Sequence, residues 1–417
     1  MTARHSSGDC SMSAEALYEA MGLKGYEVEG TWTGDEGVLY VQVAVPREKL
    51  ACRACGCSRV QRQGGQRREW KAAPIGVTPV IITMDSPRVK CLECGAKTWH
   101  QPAFAEGQRH VTKTFERTVA AWLSRVTIQD AVEMFGTSWH TVSDIDLARL
   151  KKLPQPKLSA VKRLAIDENY LGKRHGFVTV VLDLDTKAIV SVVKGRGKIP
   201  LREVFALLKA SRAKITSVAT DMAGGYIAAV MEHLPKAALV FDRFHVVKLM
   251  NEKLSDLRRE MYHELTDKQH RKMLKGTRYL LMMNPENLKQ NAKVDEKAQL
   301  HEALKLNESL SVAYYLKEDL RQFWNQRSKA AAEKYLEAWC RRADASGIRQ
   351  MQTMAKTLRG HRTGLLNWYD HPISTGPLEG INNKIGALQR RAYGYRNYEH
   401  LKERLLTLHH TKYTLQG

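Results

Sequence analysis

Apolar residues change their period along this chain, and the change divides it. Between Arg117 and Leu150 they recur three or four residues apart, at Val119, Trp122, Leu123, Val126, Ala131, Val132 and Phe135, as on one face of an α-helix. Thr127 stands where it would cap a helix over Ile128–Phe135, Gly136 breaks that helix, and Ser138 caps a second over Trp139–Leu150. Beyond the stretch 151–162, which carries two prolines and four lysines, the pattern shifts to continuous apolar runs. Leu164–Asp167, Phe177–Leu184 and Ala188–Val193 predict three strands, and the turns at 172–176 and 185–187 are short enough for antiparallel hairpins. A helix over Pro200–Ala213, a strand from Ile215 ending at Asp221, a helix over Met222–His233 and a strand over Ala237–Phe241 follow. From Phe244 to His361 the composition is almost all helix-forming. Helices are expected over Val246–Tyr262, Ala298–Asn307, Ser311–Asn325, Ala330–Arg342 and Gly347–Arg359, with breaks at Asn284-Pro285 and 344–347.

Three meandering strands followed by helix, strand, helix, strand is the order of a ribonuclease-H-like sheet. The fold class expected is therefore multidomain α/β. A ribonuclease-H-like core with a mixed five-stranded sheet is interrupted by an all-α insertion and preceded by a small zinc-binding domain and a helix-turn-helix. The ranges expected are 1–105 for the zinc-binding domain, 106–150 for the helix-turn-helix and 151–161 for a linker. The core's first part takes 162–243, the helical insertion 244–365, and the last catalytic helix with a basic C-terminal segment 366–417. In the helix-turn-helix, Trp139, His140, Thr141 and Ser143 fall at the start of the recognition helix, within reach of base edges or phosphates; an ordinary helical hairpin is the plainer alternative. Trp324 and Trp339 fit a helical core better than a base-stacking role.

Charge changes the picture most. Lys and Arg number 66 against 44 Asp and Glu, a net +22, which points to a polyanionic partner over a merely solvated surface. No stretch is long and apolar enough to span a membrane, and the N-terminus lacks the apolar core of a signal peptide. Of seven cysteines, four fall in Cys52-Arg-Ala-Cys55-Gly and Cys91-Leu-Glu-Cys94-Gly, two knuckles able to give one structural Zn²⁺ four sulfur ligands in a reducing cytoplasm. Cys57 competes with Cys55 as a ligand. A strand over Val77–Met84 would return the chain from one knuckle to the other. Basic residues dominate between them, Arg67 and Arg68 included, so the module is expected to contact DNA phosphates, with a ribbon used only for protein contacts as the alternative.

Against this basic background three acids stand out. Asp167 and Asp221 each end an apolar run, and Glu379 lies in a Gly-rich turn opening a basic helix. Carboxylates gathered at strand ends hold divalent metal for phosphoryl transfer, and two ions would activate an attacking oxygen and stabilise a leaving one. Glu168 points to the opposite strand face, and Asp183 and Asp185 read as turn residues. Asp242 is the serious rival, because Asp242-Arg-Phe-His245 directly follows a core strand; His245 holds a phosphate, orients a catalytic group or merely caps a helix. After Glu379 come Lys384, Arg390, Arg391 and Arg396, interleaved with Asn382, Asn383, Tyr393 and Tyr395, a helix suited to lining DNA against the metal site.

In this order, two C-x-x-C-G knuckles, a helix-turn-helix, AIDE, TDMAGGY, FDRFHVVK and TGPLEGINNKIGALQRRAYGYRN, the chain resembles the ISL-three family of bacterial insertion-sequence DDE transposases from about Val38 to Leu408. The resemblance implies a triad that maps onto Asp167, Asp221 and Glu379, with Mg²⁺ or Mn²⁺ bound there, and terminal inverted repeats and target DNA as double-stranded substrates. Asp242 and His245 are similar to a motif after the fifth strand in related transposases with helical insertions. The activity expected is hydrolysis at the element's ends followed by strand transfer of the 3′-hydroxyl, in the bacterial cytoplasm at the nucleoid, by a homodimer or larger assembly that pairs two ends. The rivals are a sequence-specific DNA-binding regulator, which needs no acids; a ribonuclease-H-like nuclease or resolvase, which cuts without joining; and an inactive domesticated relative.

Overall fold

The structure, a computed structural model, describes residues 14–289, 295–305 and 307–410. The chain divides into two compact units with the boundary between Leu153 and Pro154. Among the described residues no helix is long and apolar enough to cross a membrane.

In the first unit a short helix, α1 (Ala14–Ala20), precedes a five-stranded sheet of β1 (Glu27–Thr33), β2 (Leu39–Ala44), β3 (Val60–Ile75), β4 (Thr78–Cys91) and β5 (Lys97–Trp99). The order is β1-β2-β4-β3, with β5 also paired to β4. The expected strand over Val77–Met84 is part of a longer one, because β3 and β4 form a single antiparallel hairpin that pairs Val60 with Cys91 at its base and Ile75 with Thr78 at its tip. The wide spacing between the knuckles is thus an excursion out and back. Its apolar residues Trp70, Ala72, Val80, Ile82 and Met84 pack with Val41, Val43 and Phe104 into one core. Three helices follow: α2 (Lys113–Trp122), α3 (Ile128–Phe135) and α4 (Trp139–Lys151). Thr127 caps α3 in a reciprocal box with Asp130, Gly136 ends it at φ 54°, and Ser138 caps α4 by accepting from the Thr141 N–H. The Lys71 ammonium donates to the Gly136 carbonyl at 2.5 Å, tying the hairpin to the turn between α3 and α4.

The second unit is built on a sheet of β6 (Arg163–Tyr170), β7 (Phe177–Asp183), β8 (Ile189–Lys194), β9 (Ser217–Thr220) and β10 (Ala238–Phe241), in the order β10-β9-β6-β7-β8. β6, β9 and β10 are mutually parallel; β7 runs antiparallel to both neighbours. Helices α5 (Lys198–Ala210) and α6 (Gly224–His233) cover one face, where Leu164 and Ile166 of β6 meet Leu201, Phe205, Tyr226 and Val230. Side chains alternate along a strand, so Ala165 and Asp167 turn to the other face, which is met by α15 (Gly376–Arg391) and α16 (Tyr398–Leu406).

Between β10 and α15 every described element is helical: α7 (Arg243–Glu264), α8 (Lys268–Gly276), α9 (Arg278–Met282), α10 (Glu296–Lys305), α11 (Glu308–Leu320), α12 (Lys329–Ala345), α13 (Arg349–Gly360) and α14 (Arg362–Leu366), with short 3₁₀ turns. The helix expected over Ser311–Asn325 is interrupted: α11 stops at Leu320 and a 3₁₀ turn carries Arg321–Asn325. Trp324 and Trp339 are both buried in the helical core, and the Trp339 indole donates to the Leu316 carbonyl at 2.9 Å. The insert returns to the sheet where α14 packs on β10. Gly364 sits directly against the Phe241 ring, and the Asn367 amide donates to the Leu239 carbonyl at 2.9 Å. A β-carbon at Gly364 would overlap that buried ring. Gly364→Ala is expected to lower unfolding free energy by about 1–3 kcal/mol through overpacking; a denaturant midpoint equal to the parent's would contradict this seam.

Candidate active site and zinc cluster

The register of the parallel strands sets the geometry of the acidic rim. Ala165 on β6 pairs with Ala219 on β9, so two residues further along each chain Asp167 stands level with Asp221. Phe241 on β10 pairs with Thr220, which puts Asp242 level with Asp221 in turn. Three aspartates thus occupy one level on three adjacent strands. Asp167 does not end its strand, as the apolar run had implied: β6 continues to Tyr170 because β7 keeps pairing with it after β9 has stopped. At Asp167 the central strand β6 is thus paired with β7 alone, its pairing with β9 having stopped at Ala165.

The three aspartates have different surroundings. Asp167 is half-buried; its Oδ1 accepts from the Glu168 N–H at 2.9 Å and its Oδ2 from the Asn382 amide at 3.0 Å. Burial pushes its pKa above the ordinary carboxylate value and the Asp221 charge adds to this, while the Glu168 N–H and nearby His245 pull it down. Asp221 accepts from the Ala223 N–H at 3.0 Å, closing the turn into α6. Asp242 is 3% exposed and fully engaged. Its Oδ1 accepts from Phe244 N at 2.6 Å, and its Oδ2 from Thr375 N at 2.5 Å and Thr375 Oγ1 at 3.0 Å. Asp242 is therefore a buried carboxylate with both oxygens hydrogen-bonded inside the fold. His245, one helical turn on, is half-buried.

Glu379 lies in the first turn of α15 and is exposed. Asn382 follows it at the i+3 spacing that shares a helix face, and Asn382 touches Asp167. The oxygens of Asp167, Asp221 and Glu379 do not converge within 4.8 Å, a distance met among the described residues by only one group of three or more such ligands, the four cysteines. Mutual repulsion holds unscreened carboxylates apart. Sequence reasoning placed Asn382 only within the basic stretch and passed over Thr375. The spacing from Glu379 was a signal for Asn382; a contact reaching back 133 positions left none for Thr375.

The basic residues spread over several elements. Lys384, Arg390, Arg391 and Arg396 are exposed on or just after α15. That segment is moored to the β6–β7 hairpin: the Gln389 amide donates to the Leu171 carbonyl at 3.1 Å, and His175 Nε2 donates to the Tyr395 carbonyl at 2.7 Å. In the first unit Trp139 and His140 are exposed at the start of α4, whereas Thr141 and Ser143 are half-buried. Arg67 is exposed on β3, and the Arg68 guanidinium lies over the Trp70 ring, 4.9 Å from its centroid.

The knuckles converge. Cys52 Sγ lies 3.7 Å from Cys94 Sγ and Cys55 Sγ 3.6 Å from Cys91 Sγ, and all four sulfurs fall within 4.8 Å of one another. A tetrahedron with zinc–sulfur bonds of 2.3 Å has edges of about 3.8 Å, so the cluster is compatible with zinc. Gly56 at φ 75° and Gly95 at φ 69° make the turns that a β-carbon would strain. Cys57 stands outside the cluster, its sulfur accepting from the Arg59 N–H at 3.3 Å. The thiols do not ionise alike. The Cys94 backbone N–H draws Cys91 down to about 7. Cys55 is pushed up to about 12, because the neighbouring Cys94 and Cys91 sulfurs outweigh the lowering by the Cys57 backbone. Four such thiolates coexist only around a cation.

The second unit is thus a mixed α/β sheet with a helical insert, and the first carries a four-cysteine cluster compatible with zinc. The model of the DDE_Tnp_ISL3 family, described as transposase, matches residues 164–405. Two curated relatives agree over nearly full length. The transposase for insertion sequence element IS1001 of Bordetella parapertussis is 32% identical over 391 residues, 92% of this chain and 95% of its own. The transposase for insertion sequence element IS1557 of Mycobacterium tuberculosis is 29% identical over 426 residues, 95% of this chain and 94% of its own. The chain belongs to the ISL3 family of insertion-sequence transposases. Among solved structures it is similar to the Drosophila P element transposase strand transfer complex, at 11% identity and a TM-score of 0.36 over 72% of this chain and 92% of that one.

Two outcomes follow from the geometry. Cys55→Ser should lower bound zinc, measured by elemental analysis, well below that of the parent, and Cys57→Ser should leave it unchanged; equal loss from both would remove Cys55 from the cluster. The second concerns charge. With a raised pKa, Asp167 binds its proton more tightly folded than unfolded. Its contribution to stability is present below the unfolded carboxylate pKa and is lost as pH rises through the folded one, so at neutral pH the charge is a net burden. In metal-free buffer at pH 7 Asp167→Asn is expected to raise the melting temperature, with the gain fading in acid. A lower melting temperature at pH 7 would refute the burden.

Proposed function

We propose that this transposase cuts DNA at the two ends of its element and joins the freed ends to target DNA, with Asp167, Asp221 and Glu379 as the catalytic acids. The observation that carries the reading is the bond from Asn382 to Asp167, because it seats the helix of Glu379 over the strand ends where Asp167 and Asp221 stand level. The strand order β10-β9-β6-β7-β8, with β7 antiparallel, is that of a ribonuclease-H-like sheet and supports the same assignment. On this reading the zinc-binding and helix-turn-helix parts take 1–105 and 106–150, a linker 151–161, the core 162–243 and 366–417, and the helical insertion 244–365.

The donor set fits divalent metal: hard carboxylate oxygens on a rim where negative charge is otherwise uncompensated. Two Mg²⁺ or Mn²⁺ ions held there would supply charge stabilisation to the attacking and leaving oxygens. Asp167 is held for this by Asn382 and the Glu168 N–H, Asp221 by the turn into α6. Water attacks the phosphorus at the element's end, the bond to the 3′-oxygen breaks, and a 3′-hydroxyl is freed. That hydroxyl then attacks a target phosphodiester, displacing the target's own 3′-oxygen.

DNA is held by charge. Lys384, Arg390, Arg391 and Arg396 flank the site; Arg67, Arg68 and the start of α4, with Trp139, His140, Thr141 and Ser143, bind the inverted repeats, and the zinc cluster keeps the hairpin folded. Two ends paired in one complex require at least a dimer, acting on the DNA of the bacterial cytoplasm.

Asp167→Asn, Asp221→Asn and Glu379→Gln are each expected to reduce Mg²⁺-dependent cleavage of a labelled end duplex by roughly a thousandfold, with gel-shift binding of that duplex retained. Cleavage near the parent's rate by any one of them would strike that residue from the triad.

A further inference from the structure

Asp242 ends the sheet and Thr375 begins the last long helix, and the whole helical insert lies between them. The two residues are nevertheless in direct contact. Asp242 Oδ2 accepts from both the backbone N–H and the hydroxyl of Thr375, at 2.5 and 3.0 Å, and Oδ1 accepts from Phe244 N. Asp242 and Thr375 are both buried. A buried carboxylate is tolerated when it is well hydrogen-bonded, and three donors occupy three of its roughly four lone-pair sites. Its charge also lies at the N-termini of α7 and α15 together, where a helix favours an anion.

The contact leads on to Glu379. Thr375 is the N-cap of α15, yet its hydroxyl caps nothing in its own helix, being donated to Asp242 instead. The Thr375 carbonyl in turn accepts from Leu378 N at 2.8 Å and from Glu379 N at 3.2 Å. On the other side, Asp242 N donates to the Thr220 carbonyl at 3.2 Å, one residue before Asp221. A chain of hydrogen bonds therefore runs from Thr220 at the end of β9, through Asp242 and Thr375, to the backbone of Glu379.

We propose that Asp242 is a positioning residue: it pins the first turn of α15 to the sheet, sets the reach of Glu379 toward Asp167 and Asp221, and closes the helical insert at its base. It holds no metal itself. The proposal rests on Glu379 being a catalytic acid, and the variants are chosen to separate the two ideas.

The full chain is compared as parent, Asp242→Asn, Thr375→Val, Thr375→Ser and Glu379→Gln. Amide hydrogen exchange of residues 376–382 is measured without metal, and cleavage of an end duplex is measured as a function of Mg²⁺ concentration. Asp242→Asn leaves a single acceptor oxygen to face the donors of both Phe244 and Thr375, and Thr375→Val deletes only the hydroxyl. Both should speed exchange in the first turn of α15 and raise the Mg²⁺ concentration for half-maximal cleavage about tenfold, as loss of support behind a metal ligand does. Thr375→Ser should restore both toward the parent. A carboxylate that bound metal directly would instead leave Thr375→Val with the parent's Mg²⁺ requirement, and that result overturns the proposal. So does a Thr375→Ser variant as impaired as Thr375→Val. If Asp242→Asn does not fold, the Val and Ser pair decides alone. Glu379→Gln separates the two ideas: parent-like cleavage there removes the catalytic reading, whereas an inactive Glu379→Gln beside a parent-like Thr375→Val removes only the clamp.

Discussion

Parallel pairing of β6, β9 and β10 puts three aspartates at one level, and negative charges so close must each be compensated. The rest of the second unit is arranged around how this is done. Asp242 is neutralised in effect by three internal donors and withdrawn from the surface. Asp221 spends one oxygen on the turn into α6. Asp167 receives two donors but keeps a raised pKa, because burial and Asp221 outweigh them. The compensation is thus most complete at β10 and incomplete at β6 and β9. On the proposed reading, a divalent cation would complete the balance at Asp167 and Asp221.

The four-cysteine cluster presents the same problem with softer ligands. Four sulfurs lie within 4.8 Å of one another; the Cys94 backbone N–H lowers Cys91, while the neighbouring Cys94 and Cys91 sulfurs raise Cys55. What brings them together is the β3–β4 hairpin, whose base pairs Val60 with Cys91. The long spacing between knuckles is therefore no obstacle to a compact site. A hairpin returns its ends to within a strand spacing whatever its length, and Trp70 and Ile82 along it contribute the core that keeps it straight.

Local signals in the sequence carry over to the structure almost unchanged. Thr127, Gly136 and Ser138 bound their helices because caps act within a few residues. The two apolar runs before Asp167 and Asp221 mark strands for the same reason. Ends and long-range contacts are less legible. Asp167 appears terminal in an apolar count but is internal to β6, since β7 supplies hydrogen bonds to residues that are no longer apolar. Cys57 competes with Cys55 on spacing alone; the fold separates them because the chain has already turned toward β3 by Arg59. Asp242 reads as a rival ligand from its position after a strand. Only the donor waiting at Thr375 reveals that its oxygens are taken, and no pattern in the sequence pairs those two residues.

Closing a loop grows costlier only slowly with its length, by about 0.6 kcal/mol for each doubling. A helical insert between β10 and α15 is therefore tolerable if its two ends are held together and it has a core of its own. The core is present, from Met250 and Leu254 through Trp339 and Met351. The ends are held by Phe241 against Gly364, by Asn367 on Leu239, and by Asp242 on Thr375. The last of these differs from the others in what it touches next. Phe241 and Asn367 secure the insert to the sheet, whereas Asp242 secures α15, and through it the backbone of Glu379. Any shift of the insert's first helix, which Asp242 also caps, is thereby referred to the acid one turn away on α15.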